Sequence, residues 1–461
     1  MPARPKLAFC PIGKFVFSHE DALRYKRLLE AKLGAWDVDF VGLDGVIPDG
    51  LIRSHDHVEA AVRHFAGQGV DALFLPHCNF GTEGAAALIA RDLGVPTLLW
   101  GPRDEAPLAD GTRLRDSLCG LFATSKVLGK LGVPFAYIEN CRLEEPAFEE
   151  GFKRFMAAAN VVKRFRGMRI GQVGQRIDFF WTTIVNESEL LERYHIEVLP
   201  LDMVEFIEAT RQLVSERHAQ YEAELAGLRH RFSFEGYKDD EPLLNLLGAR
   251  DRLLELVEEK RLDALSVQSF MSICDALGGL VEFACALVAD AGVPLACESD
   301  LHGAISAVML SAATLETEPI FFADLTIRHP EDDNGILLWH CGFPPSLAGE
   351  GCRLRVGDHW ILPGELTGSC HWRLKEGPIT VFRFDGDRGQ YSAIAGQGES
   401  RTGPETLNTY VWMQVADWPA WERAFIYGPY IHHVAACYGQ RAAVLKEAAR
   451  YIPGLAFEEL P

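Results

Sequence analysis

Over residues 1–165, short apolar runs alternate with stretches whose apolar positions recur every three or four residues. Residues 6–10, 38–42, 70–75 and 95–101 are apolar runs ended by Pro, Gly or Asp, the pattern of buried strands. Between them, residues 19–33, 56–65 and 82–93 carry helical spacing. That alternation predicts a parallel sheet wrapped by helices. A basic stretch at 163–169 leads into a strand at 169–173, and the same grammar restarts. Strands are expected at 196–201, 264–268 and 293–297, with long helical segments at 203–228 and 241–260. After about residue 319 the pattern changes. Residues 320–327, 335–341, 379–384 and 391–395 read as strands separated by Gly and Asp turns, and helices are confined to 418–425 and 439–451. The expected fold class is α/β: two Rossmann-like parallel-sheet α/β domains, 1–165 and 166–318, followed by a β-rich, barrel-like C-terminal domain, 319–461. A length of 461 residues fits three domains of about 150 residues each.

Charge and cysteine content narrow the function class. Lys and Arg number 45 against 65 Asp and Glu, a net charge of −20, so the surface field repels polyanions. Neither nucleic acid nor an anionic membrane is an expected partner. The most apolar long window, 280–297, contains Glu282 and, near its middle, Asp290, too costly for a bilayer span. Pro11, Gly13 and Lys14 interrupt any export-signal core. Eleven cysteines without a Cys-x-x-Cys pair support neither a disulfide framework nor a zinc ribbon. These features together predict a cytoplasmic protein with reduced thiols.

Ligands of open α/β sheets bind beyond the carboxyl ends of the strands, so polar residues that follow apolar runs are the candidates for chemistry. Three such positions stand out: His77 and Asn79 after 70–75, Gln268 and Ser269 after 264–267, and Glu298-Ser299-Asp300 after 293–297. Asp300 is expected to cap the helix that begins at Leu301. Glu298, directly after an apolar strand, needs a positive partner, and a metal ion would supply one. Farther on, a hairpin centred on Asp332 would make Asp324 and His340 direct cross-strand partners, with Cβ atoms about 4.5–5.5 Å apart. Both would then grip one ion; a buried Asp–His hydrogen bond without metal is the alternative. His432 and His433 are adjacent, so regular helix or strand geometry would aim at most one of them at a shared site. Trp360, Trp372 and Trp412 each offer an aromatic face to a ligand, with core packing as the alternative for each. Walker, Gly-x-Ser-x-Gly and His-Glu-x-x-His motifs are absent from the sequence.

Glu298, Asp324, His340 and the His432-His433 pair follow one another in the order seen in the L-fucose and L-arabinose isomerase superfamily, which this chain resembles over nearly its whole length. The similarity is carried by Ala296-Cys297-Glu298-Ser299-Asp300, Leu338-Trp339-His340-Cys341-Gly342, Gly377-Pro378-Ile379-Thr380-Val381 and Gly396-Gln397-Gly398-Glu399. The resemblance implies aldose–ketose isomerisation through an enediolate with a divalent metal, usually Mn²⁺, with Mg²⁺ or Co²⁺ as alternatives. It implies Glu298 and Asp324 as acid/base pair, and Glu298, Asp324, His340 and one or both of His432 and His433 as metal ligands. Gln268, His77, Asn79 and Trp412 would face a small sugar, in a homo-oligomer. Which carboxylate acts as base is open at this point. Also open are an isomerase of a modified or acidic sugar, with Arg103 or Arg176 meeting the anion, and a non-catalytic sugar-binding or regulatory relative.

Overall fold

The structure is a computed structural model that describes residues 4–270, 272–362 and 366–461. The chain divides into two compact units, Met1–Lys163 with Glu447–Pro453, and Arg164–Lys446 with Gly454–Pro461.

The first unit contains five parallel strands, β1 (Leu7–Phe9), β2 (Phe40–Val41), β3 (Ala72–Pro76), β4 (Thr97–Trp100) and β5 (Ala136–Tyr137), in the order β2-β1-β3-β4-β5. Every residue of β1, β3 and β4 is buried, as expected where helices cover both faces of a parallel sheet. The core includes Ile12, Leu43, Phe65, Leu73, Ile89 and Leu128.

The second unit joins a parallel sheet to a barrel. Strands β6 (Arg169–Val173), β7 (Glu197–Leu201), β9 (Ala264–Val267) and β10 (Leu295–Ala296) form the sheet, in the order β10-β9-β6-β7. The single helix expected over 203–228 is two helices, Met203–Glu216 and His218–Leu228, broken at Arg217. Arg217 turns its guanidinium to Asp251 and Glu255 of the helix Glu241–Lys260, a tertiary contact that hydrophobic periodicity does not reveal. The barrel strands are β11 (Phe321–His329), β12 (Asp332–His340), β15 (Pro378–Asp387), β16 (Gln390–Arg401), β17 (Thr409–Gln414) and β18 (His433–Tyr438). They pair antiparallel in the order β16-β15-β18-β11-β12-β17, and pairing of β17 with β16 closes the ring. Closure removes the exposed edges of this sheet. Strands β14 (Thr367–Arg373), β13 (Leu354–Asp358) and β8 (Phe232–Phe234) extend from β17, and β19 (Leu455–Glu459) lies beside β16. Because β8 belongs to the α/β stretch by sequence but pairs with β13, sheet and barrel share one unit.

The helix Leu301–Ala313 holds the two parts together. All thirteen of its residues are buried, and it packs on β9, β10, β15 and β18. A helix apolar on every side is a core element. Its first turn carries the candidate site. All eleven cysteines are free thiols. Among the described residues, no helix is long and apolar enough to cross a membrane.

The β11–β12 hairpin corrects the expected register. The strands turn at Pro330 and Glu331, with His329 paired to Asp332, and irregularities at Arg328 shift the pairing along the ladder. Asp324 therefore lies opposite Trp339 instead of His340. Bulges insert unpaired residues and change register in a way that counting from a presumed turn centre cannot anticipate. On its other side, Asp324 lies directly opposite His433 of β18.

Candidate active site

Three chain segments converge on His433. The first is the turn after β10. Glu298 and Ser299 both adopt left-handed backbone conformations, with φ of 60° and 56°. Such angles cost non-glycine residues about 1–2 kcal/mol each, and strain of this kind concentrates at functional sites. The turn is fastened from outside: Glu298 N–H donates to Ser269 Oγ at 3.3 Å, Ser299 N–H to the Val267 carbonyl at 3.1 Å, and Ser299 Oγ to the Gln175 carbonyl at 3.1 Å. Asp300 then caps the buried helix, accepting from Gly303 N–H at 2.9 Å. The second segment is β11, which supplies Asp324. The third is the start of β18, which supplies the histidine pair.

His433 Nε2 lies 3.2 Å from Glu298 Oε2 and 3.6 Å from Asp324 Oδ1, while Nδ1 lies 3.0 Å from Asp300 Oδ2. The ring is 1% exposed. Burial opposes charge on it, yet the bond to Asp300 and the closeness of the Glu298 and Asp324 carboxylates push its pKa up to about 10. Burial also pushes Asp324 up to about 7; His433 pulls against this, and Glu298 and Asp300 add to it. Burial would raise Glu298 too, but the approach of His433, with His340 and His432, holds its carboxyl below the usual range. Asp300 is held well below that range, against burial, by Arg383 and His433. Burial in the first place lowers His340 to about 4; His432, whose outer side is exposed, is lowered in the same direction by desolvation of its ring and by the neighbouring His433. His340 packs its ring 5.3 Å from that of Phe322, which in turn lies 4.9 Å from His433.

The histidine pair departs from the strand rule. His432 sits in the bend before β18 and only His433 belongs to the strand, so strict alternation of faces does not apply. Ligand atoms of Asp324, His432 and His433 all lie within 4.8 Å of one another, so both imidazoles reach the same point. Among the described residues, neither His433 Nε2 nor Asp324 Oδ1 has a hydrogen-bond partner. Buried polar atoms left in this way are what a cation would satisfy. The donor set fits: carboxylate oxygens and imidazole nitrogens suit Mn²⁺ or a similar divalent ion better than a thiolate-seeking one.

Two family descriptions match the chain. One, the fucose/sulfoquinovose isomerase N-terminal domain, matches residues 12–166, and the other, the L-fucose isomerase C-terminal domain, matches residues 353–455; together they span more than half of the sequence. The chain belongs to the L-fucose isomerase family. Its chemistry is that of an aldose–ketose isomerase. A sulfoquinovose isomerase of Priestia aryabhattai is 24% identical over 404 residues, covering 85% of this chain and 84% of the relative. One from Alkalicoccus urumqiensis is 23% identical over 363 residues, with 78% and 79% covered, and one from Clostridium sp. (strain MSTE9) is 28% identical over 294 residues, with 62% and 63% covered.

In this L-fucose isomerase family member, the second unit brings Glu298, Asp324, His340, His432 and His433 together. Gln268 follows β9 and helps to line a cavity of about 690 Å³ with Gln172, Arg176, Asp202 and Ser272 at the carboxyl ends of the sheet strands. Arg176 donates from one terminal nitrogen to the carbonyls of Ile177 and Phe180. His77 and Asn79 belong to the first unit and are buried. His77 Nδ1 bonds the Phe80 carbonyl at 2.7 Å, and the Asn79 side chain binds backbone groups of Lys14, Ser18 and Gly81. Trp412, 3% exposed, packs with Leu337, Tyr410 and Trp339 and donates its indole N–H to the Pro404 carbonyl. Sequence reasoning misses Arg383, which reaches Asp300 from β15. Its signal is a lone cation inside the apolar run 379–384.

Proposed function

We propose that this protein is a divalent-metal-dependent isomerase that interconverts an acidic aldose and its ketose, with Glu298 and Asp324 as the proton-transferring pair. The observation that carries the reading is the meeting of both carboxylates at one imidazole nitrogen, His433 Nε2. Asp324, His432 and His433, with Glu298 beside them, would hold the ion. When bound, the ion supplies Lewis-acid stabilisation of the oxyanion that develops during isomerisation, worth several kcal/mol.

The residues of the chain account for the remainder. One carboxylate removes the C2 proton of the open-chain aldose; the C–H electrons form the C1–C2 double bond of the enediolate, and negative charge moves to the former carbonyl oxygen. A proton then returns to C1 while the O2 hydroxyl proton passes to the O1 oxyanion, so that C2 becomes the carbonyl and C1 the hydroxymethyl group of the ketose. General acid–base help of this kind contributes about 10²–10⁴-fold. Asp300 orients His433, whose ring is buried, while Glu298 and Asp324 are partly exposed and so within reach of a sugar.

An acidic substrate is favoured over a neutral one by the relatives, which carry the name sulfoquinovose isomerase and align over most of both chains. Arg176, in the cavity beside Gln268, is a cation available to an anionic group there. The test is a panel containing sulfoquinovose, L-fucose and L-arabinose, each incubated with Mn²⁺-loaded protein and followed by NMR for ketose. The sulfonated sugar is expected to be turned over fastest. Preference for a neutral sugar would move the substrate class, and no ketose from any sugar would overturn the reading.

A further inference from the structure

We infer that Arg383 is a positioning residue for the catalytic centre: through Asp300 it fixes the orientation of His433 and leaves Nε2 as the nitrogen that meets the ion. The inference rests on the metal-dependent reading above and extends it to a residue that touches neither ion nor sugar.

Arg383 lies between Phe382 and Phe384 on β15, with 0% exposure. A buried guanidinium is costly unless its donors are met. Here they are met by two carboxylates. One terminal nitrogen bonds Asp300 Oδ2 and the other reaches Asp300 Oδ1 at 3.2 Å; Nε and that second nitrogen bond Asp385 Oδ2 at 3.0 and 2.9 Å. Asp385 is anchored in turn by His302 Nδ1 at 3.0 Å, in the first turn of the helix that Asp300 caps. Asp300, Arg383, Asp385 and His302 are thus a continuous buried chain, none more than 8% exposed.

The Asp300 carboxylate is held in plane by a two-pronged contact, a geometry that an arginine fork provides and an ammonium does not. It also accepts from Gly303 N–H. Gly303 has to be small: a Cβ there would lie 2.7 Å from both Asp300 Oδ2 and the Phe322 ring. Arginine only donates and the carboxylate facing it accepts, so the contact at 3.0 Å to His433 Nδ1 requires hydrogen on that nitrogen. A histidine whose far nitrogen is held by a carboxylate is the arrangement by which proteins orient metal-binding imidazoles.

The experiment measures Mn²⁺ binding to ion-free protein by electron paramagnetic resonance, with no sugar present. The parent chain is compared with Arg383→Met, Arg383→Lys and Asp300→Asn, the folding of each checked by thermal unfolding. Arg383→Met and Asp300→Asn are expected to weaken Mn²⁺ binding about 10–100-fold. Arg383→Lys is expected to fall between Met and the parent, because it restores charge without the fork. Should Arg383→Met fail to fold, Asp300→Asn decides, since asparagine caps a helix as well as aspartate. A folded Asp300→Asn or Arg383→Met protein that binds Mn²⁺ as tightly as the parent overturns the inference alone. A parent that binds no Mn²⁺ overturns the metal reading, and the inference with it.

Discussion

Replacing Glu298 by glutamine is expected to lower turnover by at least the 10²–10⁴-fold that a positioned acid/base group contributes, about 3–5 kcal/mol of barrier, while the fold stays intact. Glutamine keeps the shape of the side chain but can neither take up nor give back a proton as a carboxyl group does. It also withdraws the charge that faces His433 Nε2 at 3.2 Å and one oxygen from the cation site. The backbone around the substitution has its own supports in Ser269, Val267 and Gln175, so the left-handed turn does not depend on the carboxylate. Turnover followed by ketose formation, with thermal unfolding of the same sample, checks both halves. A fully active Glu298→Gln protein would move the base elsewhere.

The second large effect belongs to His433. Three carboxylates, those of Glu298, Asp300 and Asp324, approach this one ring. Substitution by glutamine leaves Asp300 with Arg383 but deprives Glu298 and Asp324 of the cation between them. Loss of one partner from a buried charged set costs about 3–5 kcal/mol. His433→Gln is therefore expected to unfold at markedly lower denaturant concentration when ion-free, and to bind Mn²⁺ far more weakly than the parent. A His433→Gln protein with the parent's stability and Mn²⁺ affinity would show that the ring is a bystander.

Much of this site is legible in the order of residues along the chain. Glu298 stands out because a carboxylate directly after a buried strand is physically expensive without a partner. Asp324 stands out as an acid within an apolar strand, but its partner does not. The shift at Arg328 places it opposite Trp339 and leaves the histidine contact to β18, a strand more than a hundred residues away in sequence. His432 and His433 are legible as a pair; their joint use depends on a bend at His432 that residue type does not announce. Asp300 is expected to cap a helix and does so, yet capping occupies only part of its carboxylate. The alternation of strands and helices locates both parallel sheets, whereas β8 and the closure of β16 on β17 depend on long-range pairing. Local pattern speaks for faces and ends of elements, and register between distant strands is set by tertiary packing.

In the proposed reading, Glu298, Asp324 and the histidines hold a divalent cation without which isomerisation does not proceed. The most direct measurement strips the purified protein with a chelator, confirms by elemental analysis that it is ion-free, and follows ketose formation from sulfoquinovose before and after Mn²⁺ is returned. Activity is expected to disappear with the ion and to come back as Mn²⁺ approaches one per chain. Undiminished ketose formation by ion-free protein would contradict it.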